Sequence, residues 1–445
     1  MSDAAITERP RGMLTRARWA AENTPETRNR AADLYRAIAI CFVVLGHWLL
    51  VAPIIRDGEL GLSILLAEQP WTQFGTWLFQ VMPVFFFVGG YSNALSWASA
   101  CRNPEKKKVW AATRLTRLLK PTVPLVLLWA VAALVAGKMG VPKELIASAS
   151  QAALVPIWFL AVYIMITVCV PVSVWVWNRL GLVSVAILVI GAIAVDAIGL
   201  GLDQGWLRWA NYAFVWLAVH QLGYWWKDTG GSRAAAVGLV AVGVAWLYVL
   251  VGILGYPVSM VSVPGELISN TRPPTTAMLA LGAAQIGIIL LLETTVNRWL
   301  SHARPWSWVI VLNQMIMSVY LWHITALIAL IGIAMALGGI GLSVEPGTGT
   351  WWAQRPVWLI LLVVMLVPFL AIFMRFENAS RVAGTSLPGP AQAIMGALVT
   401  CAGLVMMALT GIAGNGAIGV NLMAVGLSVG GVAIATIGRR EHRER

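Results

Sequence analysis

Apolar segments long enough to cross a lipid bilayer recur along almost the whole chain. A hydrocarbon core about 30 Å thick offers the backbone no hydrogen-bond partners, so runs of about 20 apolar residues cross it as α-helices. The sequence therefore predicts an all-α polytopic membrane protein. We place twelve spans near residues 34–55, 75–99, 121–137, 153–177, 180–200, 209–226, 234–254, 275–296, 306–338, 357–374, 390–412 and 416–437.

The composition supports this class and excludes others. Hydrophobic residues make up 59% of the 445 residues and charged residues only 11%, which excludes an ordinary soluble domain. The formal net charge is +12, but the basic residues follow the membrane boundaries, so no nucleic acid partner is predicted. The four cysteines stand singly and without metal-ligand spacing, so neither a disulfide framework nor a metal site is expected.

The distribution of Lys and Arg predicts how the chain is oriented. With the N-terminus in the cytosol, the cytosolic segments contain 24 of the 31 Lys and Arg residues, and the opposite loops contain 6. This excess satisfies the positive-inside rule. An even number of spans returns the C-terminus to the same side. We therefore expect a multi-pass protein of the inner (plasma) membrane with both termini in the cytosol.

The spans and their connections divide the chain into five predicted segments. A ten-span core is followed by two additional spans, in which Gly426 and Gly430 have the spacing of a small-residue packing face. That face is compatible with a homodimer contact or with packing against the core. The segments are a basic cytosolic tail at 1–32, the core at 33–380, a linker at 381–389, the added pair at 390–437 and a basic cytosolic tail at 438–445.

Two ionisable residues on the first span give the strongest indication of function. Arg36 and His47 are separated by ten uncharged residues. At 1.5 Å rise per residue, His47 lies roughly 16 Å further along the helix, so an arginine at the membrane face places the histidine near the middle of the bilayer. Ionisable groups at that depth are costly to bury and are usually functional. A lone histidine can also serve only to bond neighbouring helices.

Further charged residues lie near the predicted cytosolic face. Asp33, three positions before Arg36, is expected to orient that guanidinium and so to belong to the catalytic site. Arg114 and Arg117 share one helix face that Lys120 continues. Because guanidinium groups bind phosphate bidentately, these residues are candidates to bind a phosphorylated donor. The alternative is that they only fix the topology and contact anionic lipid head groups.

Several motifs in combination resemble the membrane acyltransferase-3 family. The resemblance covers about the first ten spans and rests on five short motifs. One motif departs from the family, because Gly89-Gly90 stands where the family has Ser-Gly. No role for a serine is therefore expected at that point. The motifs are Asp33-x-x-Arg36 with His47, the second span from Pro83 to Ser92, Arg114-x-x-Arg117 before Pro121, Trp158-Phe159-Leu160 with Tyr163, and Val319 to His323.

The resemblance implies transfer of an acyl group, commonly acetyl, from cytosolic acyl-coenzyme A to a hydroxyl on the far side of the membrane. His47 would then act as the general base, and Arg36, Arg114, Arg117 and Lys120 would bind the donor. The acceptor would be a sugar or glycolipid of the cell envelope, for which a trehalose mycolate is one candidate. An acyl-histidine intermediate is left open.

Aromatic residues and a second histidine are candidates for the acceptor side. His323 lies in the outer half of the ninth predicted span with Tyr320 close by in the sequence, and Trp158 lies in the fourth span. An aromatic belt at the membrane interface explains the aromatic residues equally well. A twelve-span transporter or lipid flippase is the second hypothesis for the whole chain, and a non-catalytic assembly partner is the third.

Overall fold

The computed structural model of the protein describes residues 12–202, 204–378, 387–414 and 419–438. In this part of the chain α-helices dominate and one short β-hairpin is present, which confirms the all-α class. The helices are α1 (Met13–Glu22), α2 (Arg30–Leu50), α3 (Leu65–Glu68), α4 (Thr76–Phe79), α5 (Met82–Cys101), α6 (Pro104–Leu119), α7 (Thr122–Lys138), α8 (Lys143–Ala153), α9 (Val155–Leu180), α10 (Leu182–Gly201), α11 (Asn211–Thr229), α12 (Arg233–Leu247), α13 (Thr276–Trp299), α14 (Ala303–Ala336), α15 (Gly349–Asn378), α16 (Pro390–Thr410) and α17 (Leu422–Thr436).

Ten helical segments within the described residues are long and apolar enough to cross a membrane. They correspond to ten of the twelve predicted spans, and α14 accounts for the longest of these as one continuous helix. The other two predicted spans also form helices. The sixth, α11, contains His220, Gln221 and Lys227 and is more polar, and the twelfth, α17, has only 15 residues.

The first predicted span is shorter than expected, because the chain leaves the helix at Leu50. Strand β1 (Val51–Arg56) pairs antiparallel with β2 (Glu59–Ile64). The prediction of a span through residue 55 was therefore wrong by about one helical turn. Pro53 and the β-branched residues around it disfavour helix, and Asp57-Gly58 supplies the positive φ angles of 53° and 82° that a tight hairpin turn requires.

The hairpin is fastened to the segment between α14 and α15. The Ile55 amide donates to the Leu342 carbonyl over 2.7 Å. Arg56 forms an ion pair with Glu345 at 2.7 Å, and this hydrogen bond lowers the pKa of the Glu345 carboxyl. Since both side chains of the pair are about half exposed, the backbone contact is the stronger constraint.

Helices α5 and α11 approach so closely that side chains are excluded between them. A Cβ at Gly90 would lie 1.9 Å from the His220 carbonyl oxygen, and one at Gly223 would lie 2.2 Å from the Phe87 carbonyl oxygen. The neighbouring Gly89 faces Tyr163, whose ring would be 2.8 Å from a Cβ. Close packing therefore explains why glycines occupy positions 89 and 90, and a serine at residue 89 would require Tyr163 to move.

The two C-terminal helices pack on each other and on the core. Glycines again permit the contact, since a Cβ at Gly396 would lie 2.4 Å from the Ala435 amide nitrogen and one at Gly431 would lie 2.5 Å from the Thr400 amide nitrogen. The pair also contacts α6 to α9. Added Cβ atoms at Gly426 and Gly430 would meet no atom of the described chain within 4 Å. Three parts of the predicted segments lie outside the described residues. They are residues 1–11 of the N-terminal tail, residues 381–386 of the linker and residues 439–445 of the C-terminal tail.

We expect Gly90→Ala to destabilise the protein. The added methyl group overlaps a backbone carbonyl that cannot rotate away, so α5 and α11 must separate, and overpacking of this kind costs about 1–3 kcal/mol or more. Thermal unfolding of the purified protein in detergent would show a lower Tm. Gly238→Ala is the control, because its Cβ would meet no described atom within 4 Å. An equal Tm for both variants would contradict the close contact.

Candidate functional site

Two histidines from different helices meet in the interior. His47 lies near the end of α2, and its Nδ1 is 2.9 Å from Nε2 of His323 on α14. The ring planes are only 15° apart, and His323 is completely buried. The sequence singled out His47 as the central residue and His323 as a weaker acceptor-side candidate. The structure brings the two together, which their 276-residue separation did not reveal.

The hydrogen bonds around this pair fix where the ring protons lie. His323 Nδ1 is 2.6 Å from the Tyr320 carbonyl oxygen, which only accepts, so Nδ1 of His323 carries the proton. In a neutral ring its Nε2 then accepts a hydrogen bond, and His47 Nδ1 must donate it. The remaining nitrogen of a neutral His47, Nε2, is therefore left with a lone pair that can accept a proton.

Surrounding residues hold the pair in position. The Trp48 indole donates to the His323 carbonyl over 3.0 Å. The Tyr320 hydroxyl donates to the Pro156 carbonyl over 2.7 Å, which ties α14 to the start of α9. These bonds satisfy buried donors and hold α14 against α2 and α9, which fixes the helices that carry the two rings.

The polar contacts between α2 and α14 show that the two helices run side by side in the same direction. Arg36 donates to Asn313 Oδ1 from Nε over 3.1 Å and from Nη2 over 2.8 Å. Eleven residues later on α2, His47 contacts His323, ten residues after Asn313. From the sequence, Asn313 could either line a cavity or bond a neighbouring helix, and the structure shows that it bonds α2.

Asp33 belongs to the arginine end of α2. Its Oδ1 accepts from Arg36 over 2.7 Å and its Oδ2 accepts from Arg28 over 2.7 Å. Asp33 precedes His47 by 14 positions, so it lies roughly 21 Å from the histidine along the helix. The structure thus brings Asp33 together with Arg36 and not with His47, and its contacts are those of a positioning residue.

The arginines from two parts of the chain converge at this end. Arg114 donates to Ser96 Oγ and to the Ser92 carbonyl, both over 3.1 Å. Arg36 and Arg117 lie close enough to Arg114 for their charges to repel it. We call Arg36, Arg114 and Arg117 the arginine cluster. Lys120, the fourth predicted donor-binding residue, lies half-buried at the end of α6.

Tyr163 is a residue of this region to which the sequence gave no role. Its hydroxyl lies near the charges of both Arg114 and Arg36 and near the amide of Asn93. Asn93 also contacts His220 Nε2 at 3.2 Å. Asn93 had no distinguishing sequence signal, because one amide in an apolar helix is common. His220, interpreted from the sequence as a packing residue, bonds to Asn93 and lies against the Tyr224 ring.

A cavity of about 990 Å³ extends along α2 from Ala39 past His47 to the β-hairpin. The candidates Trp158 and Tyr320 line it together with His47, and residues of the β-hairpin and of the loop before α13 complete its wall. His47 therefore borders an apolar chamber whose other end begins one helical turn after Arg36. Among the described residues no group of three or more His, Cys, Asp or Glu side chains is arranged to hold a metal ion.

Comparison with known proteins gives one finding. A family model described as an acyltransferase domain, the acyltransferase-3 model, matches residues 29–375. The match includes α2, the arginine cluster and both histidines, and it ends before α16. No curated protein and no solved structure is significantly similar to the chain.

The hydrogen-bond chain predicts one tautomer for the two histidines. Solid-state NMR of protein with ¹⁵N-labelled histidine should show His47 and His323 protonated at Nδ1. His323→Ala should shift the His47 signals, because its Nδ1 proton loses the acceptor. His302→Ala is the control, since that residue is exposed outside the bundle. A His47 ring protonated only at Nε2 would contradict the arrangement.

Proposed function

The chain belongs to the acyltransferase-3 family, because the matching model covers more than half of its 445 residues, and from this membership we propose a specific reaction. The protein transfers an acyl group, with acetyl as the first candidate, from cytosolic acyl-coenzyme A to a hydroxyl of an extracytoplasmic sugar or glycolipid. Family membership favours an acyltransferase over the transporter or flippase. It does not identify the donor, the acceptor or the base.

The observation that carries this proposal is the Tyr320–His323–His47 hydrogen-bond chain beside the cavity. A neutral His47 with its free Nε2 accepts the proton of the acceptor hydroxyl as the hydroxyl oxygen attacks the thioester carbonyl carbon. A C–O bond forms and the C–S bond breaks. The proton then passes from His47 to the departing thiolate, which leaves as coenzyme A thiol, and both histidines return to their starting state.

His323 has a supporting role in this reaction. When His47 takes up a proton at Nε2 it becomes a cation whose Nδ1 proton still points at His323 Nε2. The lone pair of that nitrogen stabilises the cation through a charge-assisted hydrogen bond. The pair thus works by the same logic as other catalytic histidines that are oriented by a hydrogen-bond acceptor on the second ring nitrogen.

The arginine cluster is the proposed donor site. Coenzyme A carries phosphate groups at one end and the thioester at the end of a long flexible arm. Phosphates bound by Arg36, Arg114 and Arg117 would leave the arm to cover the roughly 16 Å to His47. Asp33 and Asn313 hold the Arg36 side chain. Lys120 and the predicted cytosolic location of this end remain parts of the proposal.

We expect His47→Ala to lower acyl transfer by about 10²–10⁴-fold, the usual contribution of a general base. Mass spectrometry of envelope lipids and glycans from a deletion strain complemented with wild type or His47→Ala would show the modified species only with wild type. His302→Ala, an exposed histidine at the start of α14, should restore them fully. An unchanged acyl profile in the His47→Ala strain would refute the reaction.

Arg36→Ala should weaken donor binding more than acceptor binding, because the guanidinium is the proposed phosphate contact. Binding of coenzyme A to the purified protein should fall about 5-fold to 100-fold, the range expected for one lost charge-assisted contact of about 1–3 kcal/mol. Arg36→Lys should recover only part, since it lacks the bidentate geometry. Arg304→Ala, exposed on the first turn of α14, serves as the control. Equal coenzyme A affinity in Arg36→Ala would exclude the phosphate role.

A further inference from the structure

The walls of the cavity beside His47 are almost entirely apolar. Its volume of about 990 Å³ lies at the upper end of the usual range for small-molecule sites, about 300–1,000 Å³. Aliphatic and aromatic side chains such as Leu327, Ile328 and Phe85 form most of its surface. Apart from His47, Arg272 is the one lining side chain of the described chain that has a charged group.

Arg272 and Trp158 form a polar rim on this cavity, and Tyr212 packs against Trp158. The Arg272 guanidinium lies 5.7 Å from the centroid of the Trp158 ring, and Trp158 lies edge to face with Tyr212 at 6.3 Å. Tryptophan and tyrosine present an apolar ring with one polar atom, and the exposed guanidinium adds further donors. The rim therefore suits a hydroxylated or anionic head group, while the rest of the cavity does not.

We infer that the cavity binds the hydrocarbon chain of the acceptor, which makes the acceptor a lipid with a hydroxylated head group and not a free glycan. This inference rests on the proposed function. A free glycan would turn most of its hydroxyls toward aliphatic walls that offer no partners, and buried polar groups without partners are unfavourable. A lipid places its chain against those walls and its head group between Arg272 and His47.

The positions of the two ends of α2 indicate that the hydrocarbon chain in the cavity belongs to the acceptor and not to the donor. The proposed phosphate contacts of the donor lie at the Arg36 end, whereas most of the cavity wall lies around and beyond His47, in the β-hairpin, in α14 after His323 and at Arg272. The part of the cavity beside Ala39, Ile40 and Val43 lies on the Arg36 side of His47 and is the place for the donor arm, so a hydrocarbon chain of the donor would have to extend past His47 to fill the rest. A chain belonging to the acceptor enters from the opposite side, with its hydroxyl next to the free Nε2 of His47.

Gly332 allows the cavity to be filled without disturbing the fold. It lines the cavity, and a Cβ there would meet no described atom within 4 Å. Gly332→Trp therefore projects an indole into open space from the last turns of α14. Gly238 on α12 has the same freedom and does not line the cavity. Gly238→Trp is thus a matched control for the substitution itself.

The probe is dodecyl glucoside carrying a photoreactive diazirine at the end of its chain, added to the full-length protein in lipid nanodiscs. After irradiation, mass spectrometry should locate cross-links on the cavity walls, with Leu327, Ile328 and Ile331 on α14 as the expected sites. Labelling should fall at least 5-fold in Gly332→Trp and stay unchanged in Gly238→Trp. Excess unlabelled dodecyl glucoside should displace the probe, and palmitoyl-coenzyme A should not.

Three results would overturn the inference. These are cross-links spread over the outer helix surfaces, equal labelling of the two tryptophan variants, and displacement by palmitoyl-coenzyme A alone, which would assign the chain to the donor. If labelling of the wild type met these expectations while His47→Ala kept full acyl transfer, the proposed reaction would fail and the lipid site would stand, so the two failures are distinguishable.

Discussion

The absence of hydrogen-bond partners in a hydrocarbon environment governs how α2 is placed. Between Arg36 and Leu50 this helix has the polar groups of Arg36, His47 and Trp48 in apolar surroundings, and each of these groups needs a partner inside the protein. Helix α14 supplies all of them through Asn313, the His323 ring and the His323 carbonyl. Three contacts spread over more than ten residues fix the relative direction, rotation and height of the two helices.

The same contacts give the site its chemistry. Because the Tyr320 carbonyl accepts from His323 Nδ1, and His47 Nδ1 donates to His323 Nε2, the Nε2 atom of His47 has no hydrogen bond in the pair. The His47 ring lines the cavity. The arginine cluster lies at the other end of α2, about three helical turns away. Along α2 a site suited to phosphates is thus followed by a proton acceptor, and a chamber suited to hydrocarbon extends from Ala39 past His47 to the β-hairpin. This order along one helix is what the proposed transfer across the membrane requires.

Close packing elsewhere supports this arrangement. Gly90 and Gly223 let α5 and α11 touch backbone to backbone, and Gly89 leaves room for Tyr163, whose hydroxyl lies near Arg114 and Arg36. The C-terminal pair α16 and α17 uses Gly396 and Gly431 in the same way and packs on α6 to α9. Although the family match ends at residue 375, the added helices are thus packed against the helix that carries Arg114.

The sequence by itself determined the class of the protein and most of its spans, because a bilayer imposes a length and a polarity on every crossing segment. It also singled out Arg36, Arg114 and His47, since charged and ionisable residues stand out against apolar surroundings. It missed the end of α2 at Leu50, where a proline and a hairpin turn compete with the apolar run. Only the tertiary structure decided which partners those residues have. His47 pairs with His323, and Asn313 accepts hydrogen bonds from Arg36. These contacts and the apolar cavity join segments hundreds of residues apart, and the local periodicity of a sequence contains no information about such contacts.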